Sequence, residues 1–270
     1  MTSPTAAPLD ESVVLGEGDL ELTGRIVTAS NATFYGTTTL AGSSVECVYK
    51  PVVGERPLWD FPDGTLARRE VAAYAVSEAL GWGVVPPTLL RDGPAGPGMV
   101  QAWREPDPGQ SPVDVRAAGR LPDGYLHVLD AVDGADRPVV LVHEDSAELR
   151  RMAVFDILVN NADRKGGHVL AMPDGHRHGV DHGVCFHVDH KLRTVLWGWS
   201  GRTLDPHDVT ALQALLARLS DPAGELPQVL GALLEPDEVD ALRNRGAGLV
   251  AAGRMPAPSM HRPMIPWPPF

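Results

Sequence analysis

The sequence is short of several things, and each shortage excludes a class of protein. Only two cysteines, Cys47 and Cys185, occur in 270 residues. That count excludes a disulfide framework and a CxxC zinc site, and both thiols lie in apolar, strand-like runs where burial is expected. No apolar run approaches the roughly 20 residues that a membrane span needs. Met1 to Asp10 has neither a basic start nor an apolar core, so it does not have the form of a signal peptide; residues 1–11 are expected to be a disordered tail. Basic residues are outnumbered, and the formal net charge is −12. An acidic chain repels phosphate backbones, so no nucleic-acid partner is expected. No integral membrane association is expected either, and the cytoplasm is the expected compartment.

What is present is an ordinary hydrophobic fraction, 43%, in a chain long enough for one large domain or two lobes. Residues 20–29, 33–40 and 45–50 favour strands, with a polar turn at Ser30-Asn31-Ala32. A helix is expected from Thr65 to Leu80, rich in Ala, Leu, Glu and Arg, with Gly81 at its stop. Thr88–Arg91 and Met99–Trp103 are expected as two further strands across Gly/Pro turns. Arg104 to Gly124 is rich in Pro, Asp and Gly and is expected to be a linker. A helix should open near Asp145, whose spacing to Glu148 suits a capping box, with Leu149, Met152, Ala153 and Ile157 on one face. A hairpin follows around Pro173-Asp174-Gly175. Helices are then expected at 205–219, 226–234 and 236–252, the first with a stripe of Val209, Leu212, Leu216 and Leu219. The Pro-rich end, 253–270, is expected to be an extended tail. The order implies an α+β chain of two lobes, 12–103 strand-rich and 104–252 mainly helical.

The densest chemistry lies in Phe155-Asp-Ile-Leu-Val-Asn160-Asn161-Ala-Asp163-Arg164-Lys165-Gly-Gly-His168, where a helix gives way to a loop. Asn160, Asn161 and Gly166 all favour leaving the helix. A second cluster, Val180-Asp181-His182-Gly183, follows a short strand, with Gly183 suited to a tight turn. An aspartate and an imidazole near one point suit a divalent cation that keeps water and phosphate as its other ligands. Asp181 is then the main ligand and His168 the second, leaving Asp163 to accept a hydroxyl proton.

Asn161-Ala-Asp163-Arg164-Lys165-Gly-Gly-His168 resembles the Asp-Arg-His-x-x-Asn catalytic loop of the phosphatidylinositol 3- and 4-kinases, and is similar to a loop of bacterial toxin kinases of the persistence type. Val180-Asp181-His182-Gly183 resembles the metal-binding Asp-Phe-Gly element that follows it. Upstream, Val48-Tyr49-Lys50-Pro51 resembles the strand with the nucleotide-binding lysine, and Arg69-Glu70-Val71 the helix with its glutamate partner. The four elements stand in kinase order over roughly residues 20–185. The resemblance implies a bilobal protein-kinase-like fold and a phosphotransferase that uses ATP and Mg²⁺ or Mn²⁺ on a hydroxyl-bearing substrate. It implies that Lys50 contacts the α- and β-phosphates and pairs with Glu70. It implies that Asp163 is the base, that Asp181 and His168 hold the metal, and that Ser30, Asn31 and Thr33 lie in a phosphate-covering loop. Gln101, Ala102 and Trp103 would contact adenine.

The sequence departs from that pattern in three places. The first loop has no Gly-x-Gly-x-x-Gly run. Lys165 replaces a histidine and suits neutralising the transferred phosphoryl group. His168 replaces an asparagine; its imidazole is the softer ligand, which leaves open a preference for Mn²⁺, weak activity, or a nucleotide-binding pseudokinase with a regulatory role. A third reading comes from the six histidines between His168 and His190. With Asp163, Asp174, Asp181 and Asp189 they suit a metal-dependent phosphoester hydrolase. His176, His178, His187 and His190 otherwise belong on solvent-facing positions of the hairpin. Lys191, Arg193, Trp197 and Trp199 stand where an anionic or ring-bearing acceptor would be gripped, or where tryptophans simply fill the core.

Overall fold

The computed structural model describes residues 9–27, 29–119, 121–259 and 263–270. The chain is α+β and divides into two compact units. The first comprises the residues up to Val71 together with Pro86–Arg104, and the second comprises Ala72–Val85 and Glu105–Phe270.

The first unit opens with α1 (Glu11–Glu17), capped by the Asp10 carboxylate, which accepts from the Ser12 amide at 2.8 Å. Of the disordered tail expected over 1–11, residues 1–8 lie outside the described residues, and Glu11 already stands in this helix. Strands β1 (Asp19–Arg25), β2 (Phe34–Leu40) and β3 (Ser43–Pro51) follow as an antiparallel meander. After α2 (Leu66–Leu80), β4 (Thr88–Gly93) and β5 (Gly96–Ala102) complete an antiparallel sheet in the order β1-β2-β3-β5-β4. Strand side chains alternate between faces, so Cys47 and Tyr49 of β3 turn to one side. There they build an apolar core with Leu15 of α1, Val100 and Ala102. The division between units falls within α2, after Val71. Gly81, at φ 66°, takes the left-handed turn that ends this helix, as its place in the sequence predicts.

Beyond its share of α2, the second unit contains a three-stranded antiparallel sheet that the composition concealed. β6 (Val113–Ala117), β7 (Tyr125–Val132) and β8 (Pro138–Glu144) stand in the order β6-β8-β7. The stretch read as a linker therefore contains β6. Helix α3 (Ala147–Val159) is capped by Ser146, whose Oγ accepts from the Leu149 amide at 3.2 Å. Asp145, the expected cap, accepts instead from Trp199 Nε1 at 2.7 Å. The expected hairpin is formed by β9 (Val169–Ala171) and β10 (Arg177–Gly179).

Helices α4 (Pro206–Leu219), α5 (Glu225–Leu233) and α6 (Pro236–Ala252) follow. Leu212, Leu215 and Leu219 are the buried leucines of α4, so its stripe runs through Leu215 rather than Leu216. Asp208 lies on the same buried face, one turn before Leu212, and pairs with Arg151 Nε at 3.3 Å. One continuous core joins these helices to Phe155, Leu158, Phe186 and Trp199. No helix among the described residues is long and apolar enough to cross a membrane.

Candidate active site

In the first unit, alternation along β3 puts Lys50 on the face opposite Tyr49 and α1. Its Nζ donates to Glu70 Oε1 at 2.8 Å, and the Glu70 side chain is only 4% exposed. The helix that carries Glu70 is pinned at its start. The Glu55 carboxylate accepts from the Leu66 and Ala67 amides at 3.1 and 2.8 Å, satisfying donors that a first turn leaves open. Next to Glu70, buried Arg69 lies over the Phe61 ring, 4.9 Å from its centroid.

The other nucleotide-binding candidates lie in the same unit. The loop between β1 and β2 holds Ser30, exposed, and Asn31, whose Oδ1 accepts from the Arg56 amide at 2.9 Å. Buried Thr33 donates its hydroxyl to the Asn31 carbonyl at 3.2 Å, and the Ala32 amide donates to Gly54 O at 3.1 Å. The loop is thereby stapled to the segment after β3. Gln101 is buried in β5 and donates from Nε2 to Thr88 Oγ1 at 2.8 Å, so its side chain is committed to the sheet. The Trp103 ring meets Tyr35 edge-on at 5.2 Å.

In the second unit, α3 ends at Asn160 in the left-handed conformation, φ 56° and ψ 51°. Asn160 Nδ2 donates to the carbonyls of His187 and Asp189 at 2.8 and 2.7 Å, and its Oδ1 accepts from the Lys191 amide at 2.9 Å. Asn161 turns the chain back: Nδ2 donates to Asp156 Oδ1 at 3.0 Å, and Oδ1 accepts from the Asp163 amide at 2.9 Å. Asp163 emerges from this turn about two-thirds buried, with Lys165 Nζ 3.7 Å from its Oδ2. Burial raises the Asp163 carboxyl above the ordinary carboxylate range, the charges of Lys165 and Arg193 pull it back, and Asp181 adds to the rise. A carboxylate pushed upward but flanked by cations suits a proton acceptor.

Asp181 Oδ2 lies 3.4 Å from His168 Nε2, and the Asp181 side chain is half-exposed. The left-handed residue of this turn is Asp181 itself, at φ 61°, where the sequence pointed to Gly183. Lys165 and Asp163 therefore face each other, as do His168 and Asp181, and the Asp181 charge is felt at Asp163.

Sequence reasoning passed over the group that joins these pieces. Arg164 is fully buried and pairs with equally buried Asp156, Nη2 to Oδ1 at 3.0 Å. Its Nη1 donates to the carbonyls of His168 and Val180 at 3.2 and 3.0 Å, and Nη2 lies 2.6 Å from His182 Nε2. A guanidinium has donors only, so His182 Nε2 is the acceptor there and carries no proton. One side chain thus ties the Asp163 loop to the Asp181 turn. A Cβ at Gly179 would stand 2.9 Å from this guanidinium, which is why a glycine borders it.

The histidine run does not gather. Among the described residues no group of three or more His, Cys, Asp or Glu side chains converges as a metal cage. Rather than facing solvent, His176 and His178 are half-buried and both bond the Gly83 carbonyl, at 2.8 and 3.0 Å. One signal in the sequence could have sharpened the site. Of 23 basic residues only three are lysines, Lys50, Lys165 and Lys191, and all three fall in or beside these motifs. A compact ammonium is not interchangeable with a flat guanidinium.

The chain is 53% identical to Protein Rv2133c of Mycobacterium tuberculosis (strain ATCC 25618 / H37Rv) over 270 residues, covering 97% of this chain and 96% of that protein. No family model matches the sequence. Among solved structures, the crystal structure of a Helicobacter pylori proinflammatory kinase, CtkA, is similar with a TM-score of 0.39 and 12% identity. That match covers 87% of this chain and 97% of the other.

Proposed function

We propose that this chain, which belongs to the same family as Protein Rv2133c, is a phosphotransferase that moves the γ-phosphoryl group of ATP to a hydroxyl acceptor. The observation that carries the reading is the Lys50–Glu70 ion pair. A buried pair of this kind recovers little stability after desolvation, so its presence calls for a use. An ammonium held out from a strand by a carboxylate is suited to the α- and β-phosphates of a nucleotide. The motifs stand in the order found in phosphatidylinositol 3-/4-kinases, and Asp163 and Asp181 lie in one unit within range of each other's charge.

In this reading the acceptor oxygen attacks the γ-phosphorus, its proton passes to Asp163, and the bond to the β-phosphate oxygen breaks to release ADP. Lys165 neutralises charge on the transferred group. Asp181 and His168 offer one carboxylate and one imidazole. That donor set fits a divalent cation, Mg²⁺ or Mn²⁺, that draws its remaining ligands from phosphate oxygens and water. The cation, when bound, supplies charge neutralisation at the phosphates.

The test is ATP turnover by the full chain with each metal, beside Asp163→Asn and Asp181→Asn. Turnover lost in both variants is expected, with the wild-type rate depending on the metal. ATP binding by thermal shift without turnover would assign the chain a regulatory nucleotide-binding role instead. Phosphoester cleavage without ATP would favour the hydrolase reading.

A further inference from the structure

We propose that residues 263–270 form a strap that positions the loop bearing Asp163 and Lys165, with Phe270 as its principal contact. A proline-rich end reads as a loose tail, but this one is fastened at several points. The Thr194 amide and Trp197 Nε1 both donate to the Met264 carbonyl, at 3.1 and 2.8 Å. Ile265 packs on the main core of the second unit, and Pro266 is buried. The Gly166 amide donates to the Pro269 carbonyl at 2.8 Å. The Phe270 ring lies so close to Gly166 that a Cβ added there would overlap it. Prolines have no N–H to give and a preset φ, so such a segment grips through its carbonyls at reduced entropic cost.

The two places gripped are the two flanks of Asp163. On one side stands Gly166, directly after Lys165. On the other runs 193–195, which itself carries the aspartate's loop. Arg193 N donates to Asn161 O at 3.0 Å, Arg164 N to Arg193 O at 3.0 Å, Val195 N to Arg164 O at 3.2 Å, and Arg193 Nε to Ala162 O at 2.7 Å. The strap thereby holds Asp163 and Lys165 between two anchored segments. Phe270 remains half-exposed and Trp267 is 87% exposed, so the strap also presents aromatic surface next to the loop. The inference rests on the phosphotransferase reading for what is being positioned.

The experiment uses the full chain with Phe270→Ala, Phe270→Leu, Gly166→Ala and the Gly166→Ala/Phe270→Ala double variant. It reads hydrogen exchange at the Gly166 and His168 amides together with the kcat and KM of ATP turnover. Phe270→Ala is expected to speed exchange at those amides tenfold or more. It should lower kcat about 10- to 100-fold, the scale of a small misplacement of catalytic groups, and leave KM for ATP unchanged. Phe270→Leu should restore most of the rate. The double variant should be no slower than Phe270→Ala alone, because the ring that a Cβ would strike is gone. Unchanged exchange in an active chain overturns the strap alone. So does faster exchange with an unaltered kcat, or an equal rise in exchange across α3 and α4, which marks a purely stabilising contact. A wild-type chain with no ATP turnover removes the phosphotransferase reading, and this inference with it.

Discussion

Replacing Arg164 by methionine should be among the most damaging single changes in the protein. The wild-type guanidinium satisfies the buried Asp156 carboxylate, two backbone carbonyls and His182 Nε2 at once. Methionine has a comparable length but no donors. Asp156 would keep only the Asn161 amide at 3.0 Å and the Thr194 hydroxyl at 3.3 Å, and its charge would stay buried. Breaking a buried pair from one side costs about 3–5 kcal/mol, most of it the stranded charge. Asp156→Asn in the same background removes that charge and keeps one acceptor oxygen for Asn161 Nδ2, while the Thr194 hydroxyl, which donates to the other oxygen, can turn to accept from the new NH2; it should return about half of the loss. Urea unfolding at 25 °C, followed by tryptophan fluorescence, measures both variants. A loss below about 1 kcal/mol for Arg164→Met would refute the account. So would a double variant no more stable than the single one, since the cost would then not arise from Asp156.

Lys50→Met should reduce kcat/KM for ATP by about 100-fold or more, as expected when a phosphate-directed charge is removed; steady-state kinetics at varied ATP checks it. Asp163→Asn should lower kcat by about 100- to 10,000-fold, the range of a lost general base, while the thermal shift produced by ATP survives. Lys165→Met removes a charge that holds the Asp163 carboxyl down, so the acid limb of the pH–kcat/KM profile should move to higher pH. His143 is buried between the Glu144 carbonyl and the Gly198 amide, and burial lowers its pKa from 6.5 to about 4, against opposing contributions from Glu144 and Asp145. The unfolded chain then takes up this proton first. The stability tied to the neutral ring is complete above pH 6.5 and falls by about 3 kcal/mol as the pH drops to 4. Urea unfolding at pH 7.5 and pH 5 should show the decline, and His143→Gln should flatten it.

Much of the first unit is legible in the sequence because its strands are rich in Thr, Val and Tyr, and its turns carry Gly and Pro. Strands β2 to β5 and helix α2 lie within a few residues of where those signals put them. Helix α1 gives little signal, since seven residues bury only Val14 and Leu15. The β6-β8-β7 sheet is masked by Asp, Pro and Gly at its turns, which lower the apparent strand character of the segments between. Ser146 displaces Asp145 as a cap because a distant tryptophan, Trp199, claims the aspartate. At the candidate site, Asp163, Lys165, His168 and Asp181 stand out by residue type and spacing. Arg164 does not, because an arginine in a sequence ordinarily signals an exposed side chain. The strap is equally opaque, since nothing local says that the carbonyls of Met264 and Pro269 will find Trp197 and Gly166.

The Asn160 cap closes a circuit. With its amide bonded at 187, 189 and 191, the thirty residues between return to their own starting point, and their length is fixed at both ends. Extra residues in that circuit are best accommodated where the hairpin tip, 173–175, meets solvent. A short epitope or a fluorescent label placed there would report on the loop's surroundings while leaving the circuit's closure intact.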